Sequence, residues 1–559
     1  MEPNPAQQRL IEAHDGIFVV DAGPGTGKTY TIAHRYGAMV EAGVDPDELL
    51  LVTFTSTAAA EMRARVGSVV PDGPIQLAGA PIATFHAHAH AILREHGASV
   101  PQHLGIDAPL LGDERLIQED AVLDRRFREF ISRFAADHPD HADWFATIQE
   151  PVSLRRVIDA LAARGAIPTV EGWYRDGAEL VRGDREALAA TAARANHTDG
   201  SRQSAALTAM KSRIRVNGAR YTADAPDLEA LGAGGRLDPE LLASVIEDTD
   251  PALEAFIHDV YIAYLRWMLT QGYLSHGVAL LFAYVLLTAE PAVRTAVATP
   301  YVMVDEFQDT NPLQFQLMLL LAAEPNLCVV GDWRQSIYGF QHADVANIRR
   351  FSERLDRFHD ALTAERDLLG WSPVRPTPIT LERTYRSTPS IVDAAGAALS
   401  LPATKTEQKR GVPPVAPPPL EPVRTTPPAQ VVKLAHHEEL HLVCDRIASI
   451  VGDDRWAVPD DGGGLRPPRF GDVAVLSRTR SFARELLMCA HECGIPMLYE
   501  GGIELYRTDA AKLVLAWLRI LDGDRPEGWA TVLLAAGYTE KAIDDRIDRG
   551  DYPLDLQGF

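Results

Sequence analysis

Three glycines alternate through the stretch DAGPGTGKTY, residues 21–30, and Lys28 and Thr29 follow directly. That set of residue types can hold a nucleoside triphosphate. Gly23, Gly25 and Gly27 let backbone N–H groups turn inward as an anion nest, and a helix starting behind them adds the positive end of its dipole. Ala22 and Thr26 complete the loop; Ala22 occupies the first position of a GxxxxGK[ST] pattern and keeps it small. The Lys28 ammonium is then expected on the β- and γ-phosphates and the Thr29 hydroxyl on magnesium. A glycine-rich turn can also serve tight packing alone, but GK[ST] at this spacing favours ATP.

A second group of chemical interest is YVMVDEFQDTN, 301–311. An apolar strand ending in Asp305-Glu306 places one carboxylate to hold Mg2+, directly or through water, and the next to orient and deprotonate an attacking water. Adjacent acids alone are weak evidence; after an apolar strand, in a chain with a phosphate loop, they are strong. Two other clusters invite a metal reading. His86, His88 and His90 alternate, which breaks helical facing. Cys489, His491 and Cys493 lie close together, but cysteines four apart on a helix are more often core or surface residues, and no second pair accompanies them. Neither cluster is expected to bind metal.

These groups need elements to position them. Ile17-Phe18-Val19-Val20 reads as the strand before the loop, and Thr31 to Val40 as the helix after it. Strands and helices alternate through 1–95. A helix-rich region spans 96–298, with apolar residues at spacings of three and four (Leu253, Phe256, Ile257, Val260, Tyr261, Tyr264, Leu265). Strand-like runs return at Tyr301–Val304 and Leu327–Val330. The pattern implies one α/β domain interrupted by a helical insertion. Residues 411–429, GVPPVAPPPLEPVRTTPPA, are expected to be an extended linker rather than a packed element. Residues 472–502 then read as strand, helix, strand and turn, opening a second α/β unit.

Composition narrows the class. With 559 residues, 23% charged and 46% hydrophobic, the chain fits a multidomain globular protein. No apolar run approaches a membrane span, and MEPNPAQQRL lacks the basic and apolar regions of a signal peptide, so a soluble, cytoplasmic protein without membrane contact is expected. The cysteines Cys328, Cys444, Cys489 and Cys493 are too few and irregular for a disulfide framework. The net charge is −23, from 54 basic and 77 acidic residues. The lysines are Lys28, Lys211, Lys405, Lys409, Lys433, Lys512 and Lys541. An acidic, lysine-poor chain fits a halophilic source, where salt screens self-repulsion, or an acidic mesophile with a GC-rich genome. Charge alone argues against nucleic acid; local motifs must overrule it.

From residue 4 to about 520 the motifs run in the order of the superfamily one DNA helicases of the UvrD/Rep type, which the sequence resembles. NPAQQ, 4–8, resembles the motif whose glutamine, here Gln7, reads adenine. LVTFTSTAAAEMRARV (51–66) and ATFHAHAHAILREH (83–96) resemble two DNA-contacting motifs, which nominates Thr53, Phe54, Thr84 and His86. VVGDWRQSIYGFQHADVANI (329–348) resembles the motif coupling nucleotide to DNA. LERTYRSTPSI (381–391) resembles the opening of a second motor domain. The resemblance implies Gln335 beside the γ-phosphate, Tyr385 stacked on adenine and Arg386 neutralising the γ-phosphate across a cleft. It also puts Phe54, Tyr338 and Phe340 under successive bases of single-stranded DNA, although such aromatics are equally at home in a core.

The implied architecture is α/β: a P-loop, RecA-like motor domain (1–95 and 299–380) with a 1B-like helical insertion (96–298), followed by part of a second RecA-like domain. The second begins at 381–410, crosses the 411–429 linker and continues over 430–523, with 524–559 as the start of a 2B-like insertion. Several positions depart from the family: Ser56 and Thr57 for asparagine and lysine, Tyr30 for arginine, Phe340-Gln341 for Trp-Arg, and a longer 352–378. The last two family motifs, one with a second arginine for the γ-phosphate, do not appear. The expected activity is ATP-dependent helicase or translocase action, moving 3′ to 5′ on single strands and single–double-strand junctions in repair or recombination. A second chain could complete the motor. The alternative is an ATP- and DNA-binding subunit that does not unwind by itself.

Overall fold

The structure is a computed structural model. It describes residues 2–141, 152–180, 251–401, 416–424 and 439–538, apart from 500–508, 523–527 and scattered positions inside these spans. The chain divides into two compact units, Met1–Thr425 and Thr426–Phe559.

The first unit is built on a six-stranded, all-parallel sheet. Its strands are β1 (Ile17–Ala22), β2 (Leu49–Thr53), β3 (Ile82–Thr84), β4 (Tyr301–Val304), β5 (Leu327–Gly331) and β6 (Thr377–Leu381), in the order β6-β1-β5-β4-β2-β3. Parallel strands buried on both faces read as continuous apolar runs, and side-chain alternation sorts each run between two cores. Leu50, Val52, Val302, Val304, Leu327 and Val329 face one core; Leu49, Leu51, Met303, Cys328 and Val330 face the other. The second core is covered by α1 (Pro5–Glu12), α2 (Lys28–Glu41) and α3 (Ser56–Val69). Helix α1 opens with a capping box, in which the Asn4 side chain and Gln7 satisfy each other's backbone N–H groups.

The first core runs on into the helical region inserted between β3 and β4. Helix α4 (Phe85–His96) leaves β3 with Thr84 as its N-cap, its hydroxyl accepting from Ala87 N at 3.1 Å. Helices α5 (Asp120–Asp137), α6 (Val152–Arg164), α7 (Pro251–Thr270) and α8 (His276–Ala289) follow. Residues Val278–Thr288 of α8 are all buried, because α8 packs against α4, α6 and α9 (Pro312–Leu321). A helix apolar on every side belongs in the middle of such a bundle. Among the described residues no single helix is long and apolar enough to cross a membrane. Residues 181–250, within the expected insertion, lie outside the described residues.

After β6 come α10 (Pro389–Leu399) and a short parallel pair, β7 (Arg383–Thr384) with β8 (Glu421–Pro422). This pair corrects the expectation of an unpacked linker over 411–429. Glu421 N donates to Glu382 O at 2.7 Å and Val423 N to Thr384 O at 3.0 Å. The prolines keep the segment extended, and an extended segment with free N–H groups at 421 and 423 can ladder onto β7. Residues 411–415 and 425–429 of the same stretch lie outside the described residues.

In the second unit, helices α11 (Glu439–Ile450) and α12 (Arg480–Glu492) pack together over a small core of Cys444, Ile447, Leu486, Cys489, Ala490 and Ile495. The helix expected inside 472–502 is present. The flanking strands are not assigned: 473–477 and 495–499 are described without strand pairing, and Leu476 and Leu498 are 96% and 92% exposed. A strand exists through its ladder, and among the described residues neither stretch makes one. Residues 501–508 and 541–559, which the sequence reading assigned to the second motor domain and the 2B-like insertion, lie outside the described residues.

Candidate nucleotide and nucleic-acid site

Strand β1 ends in the buried Ala22, and the chain turns through 23–27 into α2, whose N-cap is Gly27. The turn needs glycine at two positions. Gly25 and Gly27 hold φ of +75° and +82°, in the left-handed region. A Cβ on Gly25 would stand 2.4 Å from Arg386 Cβ, and one on Gly27 would stand 2.8 Å from Gln7 Nε2. Gly23 backs onto Leu420, where a Cβ would meet Cδ2 at 2.8 Å. Thr26 is fully buried, and its hydroxyl donates to Gly23 O at 2.8 Å, which pins the turn.

A cleft of ≈ 410 Å³ opens at this turn. Lys28, Thr29 and Tyr30 line it from α2, Glu306 from the end of β4, Gln335 from the segment after β5, and Tyr385 and Arg386 from the segment after β7. This is the crevice at the carboxyl ends of parallel strands, where α/β sheets bind ligands. Lys28 Nζ lies 3.0 Å from Glu306 Oε2. Glu306 is a non-glycine residue with φ of 51° and ψ of 43°, a conformation that costs on the order of 1–2 kcal/mol and that collects at functional sites. Asp305, one residue earlier, is buried, and its Oδ1 accepts from Glu306 N at 3.0 Å. Burial, with the Glu306 charge beside it, pushes the Asp305 carboxyl up to about 7. Burial and Glu306 likewise push Asp309 up to about 6.

A hydrogen-bonded chain joins these acids to the strand β5 end. Gln308 Nε2 donates to Glu306 Oε2 at 2.8 Å, and Gln308 Oε1 accepts from Asp332 N at 3.0 Å. Gln335 Nε2 donates to Asp332 Oδ2 at 2.9 Å. Arg334 bridges Asp332 and Asp21, at 3.2 and 3.1 Å. On the far wall, Tyr385 N donates to Gly25 O at 2.9 Å and Thr384 Oγ1 to Pro24 O at 2.9 Å, so the segment bearing Tyr385 and Arg386 is tied to the glycine loop.

Gln7 does not line the cleft. Its Nε2 donates to Thr26 O at 3.0 Å and its Oε1 accepts from Asn4 N at 2.9 Å, so its amide is engaged in bracing the loop. Asn4 Nδ2 in turn donates to the Tyr385 hydroxyl at 3.1 Å. Two residues that sequence reading did not single out, Glu61 and Arg65, line the cleft from α3. Their spacing of four in TAAAEMRARV puts both on one helix face, which was the available signal.

The residues nominated for DNA fall into three settings. Phe54 and Tyr338, half-buried, pack with ring centroids 4.6 Å apart. Thr53 and Thr84 are buried at the ends of β2 and β3. His86 meets His276 edge-on at 4.7 Å, and burial pushes it down to about 4, so it is neutral at pH 7. Phe340 lies in the short turn Gly339–Gln341; its side chain is outside the described residues.

The model of the UvrD/REP helicase N-terminal domain matches residues 3–356. A probable DNA helicase II homolog of Rickettsia felis is 26% identical over 535 residues, covering 92% of this chain and 60% of that protein. The ATP-dependent DNA helicase UvrD1 of Mycobacterium tuberculosis is 25% identical over 534 residues, 92% of this chain and 52% of its own length. DNA helicase II of Escherichia coli is 24% identical over 526 residues, 93% and 54%. The chain spans between half and three-fifths of the length of these relatives.

Proposed function

The chain belongs to the UvrD/REP helicase family, and we propose that it binds ATP with Mg2+ in the cleft beside Lys28 and couples hydrolysis to movement along single-stranded DNA. The observation that carries the reading is the Lys28–Glu306 pair at 3.0 Å, in a cleft that also presents Arg386 and Tyr385. One cation for phosphate and one carboxylate for water at a sheet's carboxyl edge is the arrangement that phosphoryl transfer to water requires.

The residues present fit a metal nucleotide. Gly25 and Gly27 hold the positive φ that turns the loop's backbone at the cleft, and Asp305 is a buried carboxyl beside it. Thr29 and Asp305 would hold Mg2+, which when bound would neutralise charge on the phosphate oxygens. Lys28 would leave Glu306 for the β- and γ-phosphates. Glu306 would then take a proton from the attacking water. Arg386 would neutralise charge from the opposite wall, and Tyr385 and Tyr30 would offer ring faces. Gln335, hydrogen-bonded to Asp332, would respond to the γ-phosphate.

For DNA, Phe54 and Tyr338 would give bases a stacking face that is indifferent to sequence, as a translocating motor needs. Phe340 would extend that surface, and the buried Thr53 and Thr84, with the desolvated His86, would support it from the strand ends. A 3′-to-5′ direction, a preference for single–double-strand junctions and a role in repair extend the same proposal. The test is ATP turnover with and without single-stranded DNA. Stimulation by DNA that is lost in Lys28→Ala supports the reading; turnover equal in wild type and Lys28→Ala overturns it.

A further inference from the structure

Three of the chain's four cysteines meet in the second unit, far from the nucleotide cleft in sequence. Helix α11 contributes His441 and Cys444, three apart, and α12 contributes Cys489 and its C-cap Cys493, four apart. Each spacing keeps its two side chains on one helix face. Cys489 Sγ lies 3.5 Å from His441 Nδ1 and 3.7 Å from Cys444 Sγ. The ligand atoms of His441, Cys489 and Cys493 all fall within 4.8 Å of one another.

We propose that His441, Cys444, Cys489 and Cys493 form a structural zinc site that clamps α11 to α12. With Zn–S near 2.3 Å and Zn–N near 2.0–2.1 Å, a tetrahedral site has S···S edges of about 3.8 Å and S···N edges of about 3.6 Å. The two separations at Cys489, 3.7 and 3.5 Å, match two of the six edges, and Cys444, outside the mutual 4.8 Å grouping of the other three, would move inward to close the tetrahedron as the metal binds. The donor set, three thiols and one imidazole, is of the Cys3His class, and soft thiolates favour zinc over the hard cations that suit the nucleotide cleft. All the cysteines are free, and 3.7 Å is well beyond an S–S bond.

Burial gives the site a closed inner edge and an open outer one. Cys444 and Cys489 belong to the core between the helices, while His441 and Cys493 are exposed. A cation can therefore enter from solvent, displacing the three thiol protons as it is bound. The core it would anchor is small, and Val473 and Met497 from the unpaired segments 473–477 and 495–499 pack against it. A metal can supply the cohesion that so few apolar residues do not. The sequence by itself shows Cys489, His491 and Cys493 close together with no second pair. His491 takes no part, and the second pair is His441-x-x-Cys444, with Cys444 45 residues before Cys489.

The test uses the full 559-residue chain, purified without a metal-affinity tag under reducing conditions. Elemental analysis is expected to find about one tightly held zinc per chain. Replacing it with cobalt(II) should give the intense visible bands of a tetrahedral thiolate site. Cys493→Ser and His441→Ala, both at exposed positions, should each lose most of the zinc and the cobalt bands, and Cys328→Ser should keep both. Failure of the wild type to retain or take up zinc, a weak octahedral cobalt spectrum, iron in place of zinc, or undiminished zinc in a Cys493→Ser/His441→Ala double variant would each overturn the proposal.

Discussion

Lys28 Nζ and Glu306 Oε2 stand 3.0 Å apart although 278 residues separate them, so the first residue of α2 and the carboxylate that ends β4 form one ion pair. The Lys28 side chain is 10% exposed and that of Glu306 34%, so the pair sits at the floor of the cleft. A triphosphate bound to Lys28 would take the cation from Glu306 and leave the carboxylate facing water.

Lys28→Ala is expected to abolish ATP turnover and leave much of the single-strand affinity, because the proposed role of this charge is to hold phosphate rather than DNA. Glu306→Gln should bind nucleotide at least as tightly as wild type and hydrolyse it at background rate, since the amide neither competes as strongly for Lys28 nor takes a proton. Nucleotide titration beside steady-state turnover separates the two; collapse of nucleotide affinity in Glu306→Gln would make Glu306 a binding residue instead.

Gly25→Ala should damage both stability and nucleotide binding. The new methyl would occupy a residue with φ of +75° and press on Arg386 Cβ at 2.4 Å and Thr384 Oγ1 at 2.7 Å. The backbone strain alone is about 1–2 kcal/mol. Denaturant midpoints check the loss, and Gly43→Ala, at φ +98° with no atom within 4 Å of its Cβ, isolates the strain from the contact.

The raised Asp305 carboxyl gives a signed pH dependence. Its pKa in the folded, nucleotide-free chain is about 7, above the ordinary 3.8. The folded state therefore binds the extra proton, and this group's contribution favours folding below about pH 4 and is lost as pH rises to 7. Asp305→Asn should stabilise the nucleotide-free protein at pH 8, by on the order of 1–3 kcal/mol. Wild-type affinity for ATP with Mg2+ should rise from pH 6 to pH 8 as the carboxyl gives up its proton. A flat affinity profile, or destabilisation by Asp305→Asn at pH 8, contradicts this.

Single-strand binding should tolerate salt better than that of a strongly basic protein. A net charge of −23 works against a phosphate-gripping surface, so few counterions should be released, and stacking on Phe54 and Tyr338 should carry more of the affinity. Tyr338→Ala should weaken binding by roughly 1–3 kcal/mol without changing the salt slope. A steep salt slope, with affinity indifferent to Tyr338→Ala, would show that phosphate contacts dominate.

The glycine loop, Lys28, Thr29, Asp305 and Glu306 were legible in the sequence because each motif is local: a few consecutive residues of fixed type between an apolar strand and a helix. Strand existence was legible for the same reason, since Ile17–Val20 and Tyr301–Val304 are continuous apolar runs. Strand order was not, because pairing β1 with both β5 and β6 depends on contacts more than 300 residues apart. Tertiary structure alone brought Glu61 and Arg65 into the cleft and turned Gln7 to brace Thr26. It also drew Glu421–Pro422 from a proline-rich stretch onto β7, and left 473–477 without the ladder its alternation anticipated. The same holds for His441 and Cys444. Spacing along the chain brings two ligands to one face of one helix, but only the packing of α11 on α12 can set them against Cys489 and Cys493, since distance between helices is fixed by their shared core and not by sequence separation.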